Sequence, residues 1–190
     1  MQKIKKIAGV DEVGRGCLAG PVFAAAVILN QNINSKNIKD SKKITFRKRV
    51  LLASYIKKNS IFAIGKASVN EINKLNILNA SLLSMKRALH KLKVKPSAAY
   101  IDGLFAPKNL KLKCKTFVKG DEKILCISAA SIVAKVARDL FMIKLSKKFP
   151  KYGWCKNFGY GTHYHLKSLK KYGITNHHRK KFRPVHNILF

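Results

Sequence analysis

Apolar and polar positions along this chain repeat with two different periods, and the switches between them mark out its elements. Ile7-Ala8-Gly9-Val10 is a short apolar run leading into Asp11-Glu12, and Val22 to Leu29 is a longer one. Small and β-branched residues in runs of this length predict two buried strands, joined by a tight turn at Gly14-Arg15-Gly16. Thr45 to Lys57 sets Val50, Leu51, Leu52, Tyr55 and Ile56 among basic residues at helical spacing, with Thr45 placed to cap it. Ser60 to Val69 returns to a strand pattern through Ile61, Ala63 and Ile64, completing a three-stranded antiparallel unit. From Asn70 to Lys93, Ile77, Leu78, Leu82, Met85, Leu89 and Leu92 recur at three and four and predict a helical region that Pro96 ends. Asn76 and Asn79 suit either caps or contacts there.

The second half adds parallel elements. Ala98 to Ile101 is an apolar strand ending on Asp102-Gly103, and Leu110 to Val118 alternates Lys with Leu, Cys and Phe before Lys119-Gly120-Asp121-Glu122. Ile127 to Leu145 is the strongest helix, with an apolar stripe through Ile132, Val133, Val136, Ala137, Leu140 and Phe141. Ser128 and Ser131, among Ala129 and Ala130, give it a small-residue face for close packing. Strands alternating with helices in this order predict an α/β fold: a mixed sheet, antiparallel first and then parallel, flanked by helices. Phe149-Pro150 interrupts the pattern. Beyond it, Thr162 to Tyr172 reads as a further helix, and His177 to Val185 is a basic run with interleaved aromatics, suited to a phosphate backbone and stacked rings. The chain reads as one domain over residues 1–190, with a sheet-and-helix core over 1–150 and a helical, basic C-terminal segment over 151–190.

Composition narrows the partner. Hydrophobic residues make up 47% of the 190, enough for a core and too many for a disordered tail. Forty Lys and Arg face eight acids, a formal charge of +32. Such a balance predicts attraction to polyanions, nucleic acid above all, although a general lysine bias produces the same excess. Cys17, Cys114, Cys126 and Cys155 have no C-x-x-C spacing, and His163, His165, His177 and His178 fit no usual zinc pattern. The basic start meets Asp11 too soon for a signal peptide, and no apolar run approaches the ~20 residues of a membrane span. Cytoplasmic residence is the expectation.

Four of the eight acids, Asp11, Glu12, Asp102 and Asp121, sit at ends of apolar segments beside glycine-bearing turns. Of the rest, Asp139 reads as a structural partner of Arg138 or a lysine. Carboxylates buried without compensation are prohibitively costly, so a cation is implied, and hard oxygen donors select Mg²⁺ or Mn²⁺. Two such ions about 3.5–4 Å apart clamp a scissile phosphate in many nucleases. Adjacent strand residues point to opposite faces, so Asp11 and Glu12 share an ion only at a bend or with help from a backbone carbonyl. No serine or cysteine stands in a triad context. The Gly14-Arg15-Gly16 turn offers backbone N–H groups and a guanidinium for phosphate.

The stretch GVDEVGRGCLAGPV resembles the N-terminal signature of the ribonuclease HII family, and the likeness runs from about Ile7 to Pro184. It implies a ribonuclease H-like fold and an endoribonuclease that cleaves RNA in RNA/DNA hybrids. It also implies incision 5′ of single ribonucleotides in duplex DNA, leaving a 3′-hydroxyl and a 5′-phosphate. By resemblance the metal carboxylates fall on Asp11, Glu12, Asp102 in its Ile-Asp-Gly, and Asp121. The ribonucleotide-sensing turn falls on Gly14, Arg15 and Gly16, which feel the 2′-hydroxyl. Tyr160, in Gly159-Tyr160-Gly161-Thr162, stacks on the neighbouring sugar. Asp40-Ser41-Lys42-Lys43 matches a family stretch in which Lys42 or Lys43 touches phosphate, and Ile127 to Asp139 matches an Ala-Ser-rich helix. Cys17 departs from the proline of many members, and Glu122 adds a carboxylate beside Asp121. The related ribonuclease HIII proteins carry an extra N-terminal domain for which there is no space before Asp11. A monomer is the expected state. The rival reading, a non-catalytic basic protein that binds nucleic acid, suits the charge and leaves the four carboxylates unexplained.

Overall fold

The computed structural model describes residues 6–35, 38 and 44–189. Five strands form one sheet: β1 (Ile7–Val13), β2 (Val22–Leu29), β3 (Ser60–Ala67), β4 (Ala98–Asp102) and β5 (Lys113–Phe117), in the order β3-β2-β1-β4-β5. β1 and β3 each pair antiparallel with β2, whereas β4 runs parallel to both β1 and β5. This is the mixed sheet the sequence predicts. The flanking helices are α1 (Phe46–Lys58), α2 (Val69–Leu75), α3 (Ile77–His90), the short α4 (Gly120–Lys123) and the long α5 (Leu125–Ser146). After a 3₁₀ turn at Pro150–Tyr152 come α6 (Trp154–Asn157), α7 (His163–Tyr172) and α8 (Arg183–Leu189).

Alternation along the strands supplies two cores. Ala8, Val10, Ala24, Ala26 and Ile101 turn to one face, where α3 covers them with Met85, Ala88 and Leu89. Ala25 and Val27 turn to the other, under α1 and the Ala129–Val136 stretch of α5. Small residues let α5 lie unusually close: a Cβ on Gly9 would run into the Cys126 backbone at the start of that helix. A third core joins α5 to the C-terminal segment through Met142, Tyr152, Trp154, Leu169 and Val185. No helix of the described residues is long and apolar enough to cross a membrane.

Three expectations on local structure change. The region 70–93 is two helices, because Asn76 adopts φ 69° and its side chain accepts from the Asn79 N–H, ending one helix and capping the next. Asparagine tolerates that conformation better than most residues. The strand expected from Leu110 starts only at Lys113, since Leu110 and Leu112 pack inward beside the α3 core. The basic tail is in part interior and not given over wholly to a phosphate backbone: His178 and Arg179 are buried, and Ala19 bridges to His178 in antiparallel fashion. Thr45 caps α1 as expected, accepting from the Lys48 N–H.

Candidate active site

The acidic residues collect at one end of the sheet. β1 and β4 are parallel neighbours with Val10 opposite Ile101, so the next residues, Asp11 and Asp102, lie side by side. Val10 and Ile101 both belong to the α3 core, so Asp11 and Asp102 turn to the α5 side. Asp11 is buried there, accepting from the Ser131 side chain and, at 2.7 Å, from the Glu12 N–H. Burial holds its pKa well above the usual carboxylate range, and the charges of Glu12 and Asp102 push the same way.

Glu12 stays within the ladder, opposite Ala24, so by alternation it leaves the strand on the other side. Its pKa is also raised, first by burial, while Arg15 acts against the shift. Arg15 reaches Oε1 at 3.1 Å, and Oε2 is buried with no hydrogen-bond partner. Asp102 Oδ1 accepts from the Gly120 N–H at 2.7 Å, which pins the start of α4. Asp121 follows on that turn, and its backbone carbonyl accepts from Ser128 of α5. Asp121 is not among the leading charges acting on Asp11 or Glu12. Among the described residues no three His, Cys, Asp or Glu side chains close on a common point as a finished metal cage. Asp11, Glu12 and Asp102 therefore share an electrostatic field without closing into a cage.

An all-oxygen donor set in which burial raises the pKa values of Asp11 and Glu12, and which keeps an orphaned buried oxygen, suits a hard divalent cation. A cation there would give Glu12 Oε2 a partner and offset the burial that, first of all, raises both pKa values.

The loop after β1 is organised from within. Arg138 of α5 is fully buried and donates to the carbonyls of Pro21 (3.1 Å), Ala19 (3.0 Å) and Phe158 (2.9 Å). Arg179, also fully buried, donates to Gly14 O (2.7 Å), Arg15 O (2.8 Å) and Gly20 O (2.9 and 2.8 Å). Gly14 has φ 93°, and a Cβ there would strike the Arg138 side chain, so glycine is required on both counts. Asp139 pairs with Lys135 at 2.9 Å rather than with Arg138.

Tyr160 belongs to the same place. Gly159 O accepts from the Leu18 N–H at 2.8 Å, so the 157–161 turn lies directly on the loop after β1. The Tyr160 ring is part-exposed, its hydroxyl meets the Cys17 side chain, and Lys135 Nζ stands 5.6 Å from the ring centre. Its carbonyl faces His165 Nδ1 at 2.8 Å. Tyr160 thus adjoins the loop that carries Gly14, Arg15 and Gly16, and that loop follows directly on Asp11 and Glu12 of β1. Lys42 and Lys43 lie outside the described residues.

A family model for ribonuclease HII matches residues 8–186. The chain belongs to the ribonuclease HII family. It is 60% identical over 186 residues to a ribonuclease HII from Pelagibacter ubique, covering 98% of this chain and 100% of that protein. A ribonuclease HII from Roseobacter denitrificans is 46% identical, with 98% and 94% covered. Among solved structures, the ribonuclease H2 of Pyrococcus horikoshii matches with a TM-score of 0.80 at 29% identity, over 96% of both chains. Membership of the ribonuclease HII family makes this chain a ribonuclease H-type endonuclease.

Sequence reasoning overlooked two members of the site. On sequence grounds Arg138 reads only as a partner of Asp139, and Arg179 only as part of a basic run. A signal existed for Arg138: it falls four residues from both Ala134 and Met142, each fully buried on the core side of α5. A charge in an apolar register needs a buried acceptor. Arg179 carries no such mark, since its burial depends on a fold of the tail that no periodicity announces.

Proposed function

We propose that this chain is an endoribonuclease that cleaves RNA in RNA/DNA hybrids and incises 5′ of single ribonucleotides in duplex DNA, leaving a 3′-hydroxyl and a 5′-phosphate. The carrying observation is the acidic end of the sheet, where Asp11 and Asp102 adjoin and Glu12 keeps an orphaned buried oxygen. Asp11, Glu12, Asp102 and Asp121 are the residues that would hold two divalent ions, Mg²⁺ or Mn²⁺. When bound, these ions supply activation of the attacking water and stabilisation of the departing oxygen.

The chain's own groups do the rest. Ser131 and the Glu12 amide orient Asp11, and Gly120 orients Asp102. Arg15, half exposed, offers a guanidinium to a backbone phosphate. The Gly14-Arg15-Gly16 amides read the 2′-hydroxyl, the one group that separates ribose from deoxyribose. Tyr160 stacks on the adjoining sugar. Lys42 and Lys43 are assigned to phosphate by family likeness alone. The 151–190 segment acts as the substrate-binding part of one catalytic domain, in a monomer that works in the cytoplasm.

A DNA duplex carrying one ribonucleotide tests this. Incision with Mn²⁺ or Mg²⁺, stopped by chelator and by Asp11→Asn, is the expected result. Retention of the duplex without a cut under any metal leaves the passive binder instead.

A further inference from the structure

Arg138 and Arg179 are two buried charges among the described residues that no described carboxylate is seen to bond. Their partners are six backbone carbonyls, five of them from residues 14–21. Burial pushes the Arg179 pKa down to about 9, and the nearby Arg138 charge adds to that. What a guanidinium adds is a planar fork with fixed donor directions.

The fork dictates where the opposite side of the loop faces. In a trans peptide the C=O and the following N–H point in opposite directions. Arg179 Nη2 holds the Gly14 carbonyl and Nη1 holds the Arg15 carbonyl. The amides of Arg15 and Gly16 must then point away from Arg179. Gly16 itself borders open space, with nothing within 4 Å of where a Cβ would sit. Arg138 fixes the far end of the loop at Ala19 and Pro21, and ties it to the Tyr160 turn through Phe158.

We propose that Arg138 and Arg179 are positioning residues that set ribose selectivity: they hold the loop carbonyls inward so that the Arg15 and Gly16 amides face the substrate 2′-hydroxyl. This rests on the endonuclease reading above. It predicts a defect in discrimination with the carboxylates intact, which a purely structural role does not give.

The test compares wild type with Arg179→Lys and Arg138→Lys, which keep the charge and lose the fork. Two duplexes are used, one with a single ribonucleotide and one of DNA throughout. In chelator, where nothing is cut, wild type is expected to prefer the ribonucleotide duplex, and each variant to bind both alike with unchanged affinity for the DNA duplex. With Mn²⁺, kcat/KM on the ribonucleotide duplex is expected to fall about 10²-fold, the scale of a small misplacement of binding groups. A lysine variant that keeps the wild-type preference overturns the proposal. So does loss of folded far-UV dichroism in both variants, which assigns the arginines to general stability. A wild type that neither cuts nor prefers the ribonucleotide duplex removes the endonuclease reading and this one together.

Discussion

Two sets of charge are buried a few residues apart, and the fold treats them in opposite ways. The acids at the ends of β1 and β4 are crowded together, with raised pKa values and an oxygen of Glu12 left without a partner. The arginines behind the following loop are saturated in that each of the three guanidinium nitrogens, in Arg138 and in Arg179 alike, meets a carbonyl. An unsatisfied cluster is one whose missing partner arrives from outside. A saturated one is scaffolding. The difference separates the part of the site that binds from the part that holds it still.

Neutralising an acid breaks the comparison most sharply. Asp11→Asn is expected to lower metal-dependent cutting on the order of 10³-fold, the scale of removing one preorganised electrostatic group. The same change is expected to stabilise the metal-free protein by about 1 kcal/mol, some 2–4 °C in Tm, because it relieves burial and repulsion that already raise the Asp11 pKa. Asp102→Asn is expected to follow it in activity. A metal-free Asp11→Asn protein that melts below wild type contradicts the unsatisfied character of the cluster.

The arginines should behave in the reverse sense. Arg138→Met removes three donors and leaves the carbonyls of Pro21, Ala19 and Phe158 buried. At roughly 1–3 kcal/mol for each orphaned group, partly relieved by repacking, a loss of about 3 kcal/mol is expected in a denaturant titration. Stability and ribonucleotide selectivity should fall together, whereas in Asp11→Asn they move apart.

Tyr160→Ala probes the seam between the two sets. Base or sugar stacking on an aromatic ring is worth about 1–3 kcal/mol. Junction cutting is therefore expected to drop about 10- to 100-fold, with metal affinity by calorimetry nearly unchanged. Equal losses in both make Tyr160 a structural residue.

Much of this was open to a reader of the sequence, for identifiable reasons. Strand alternation and the helical stripe of α5 are local patterns, and the acids stand out because the chain has so few. The break at Asn76 was hidden because an uninterrupted apolar spacing runs across it, while a single side-chain cap and a positive φ decide the outcome. The alternation that sends Asp11 and Glu12 to opposite sides was foreseeable, and the ladder through Val13 shows no bend to cancel it. The interior of the tail was not legible. His178-Arg179-Lys180-Lys181 has the composition of a surface run, and only long-range packing against the loop after β1 buries its first half.

That tail gives the smallest effect and a third kind of buried polar group. His178 Nδ1 accepts from the Thr175 N–H at 2.9 Å, so its Nε2 carries the proton and donates to His165 Nε2 at 3.1 Å. His165 Nε2 also accepts from Trp154 Nε1 at 3.0 Å. The arrangement requires both rings neutral, and burial, with the neighbouring His165, pushes the His178 pKa down to about 3. An unfolded histidine titrates near 6.5. Between these values the unfolded chain binds one more proton, so stability is full above pH ~6.5 and falls by about 1.4 kcal/mol per pH unit below it. Asp11 works in the opposite direction: its raised pKa makes the folded state the better proton binder above the ordinary carboxylate range, so its contribution falls as pH rises. The wild-type slope below pH 6.5 contains both terms, together with those of His165 and His177, whose pKa values are also lowered, and of Glu12, whose pKa is also raised. His178→Asn, which keeps an acceptor for Thr175, is expected to flatten that slope, and Asp11→Asn to steepen it. Thermal midpoints between pH 5 and 7 measure both, and parallel slopes in the two variants would mean that the histidine pair and the acid cluster do not oppose each other.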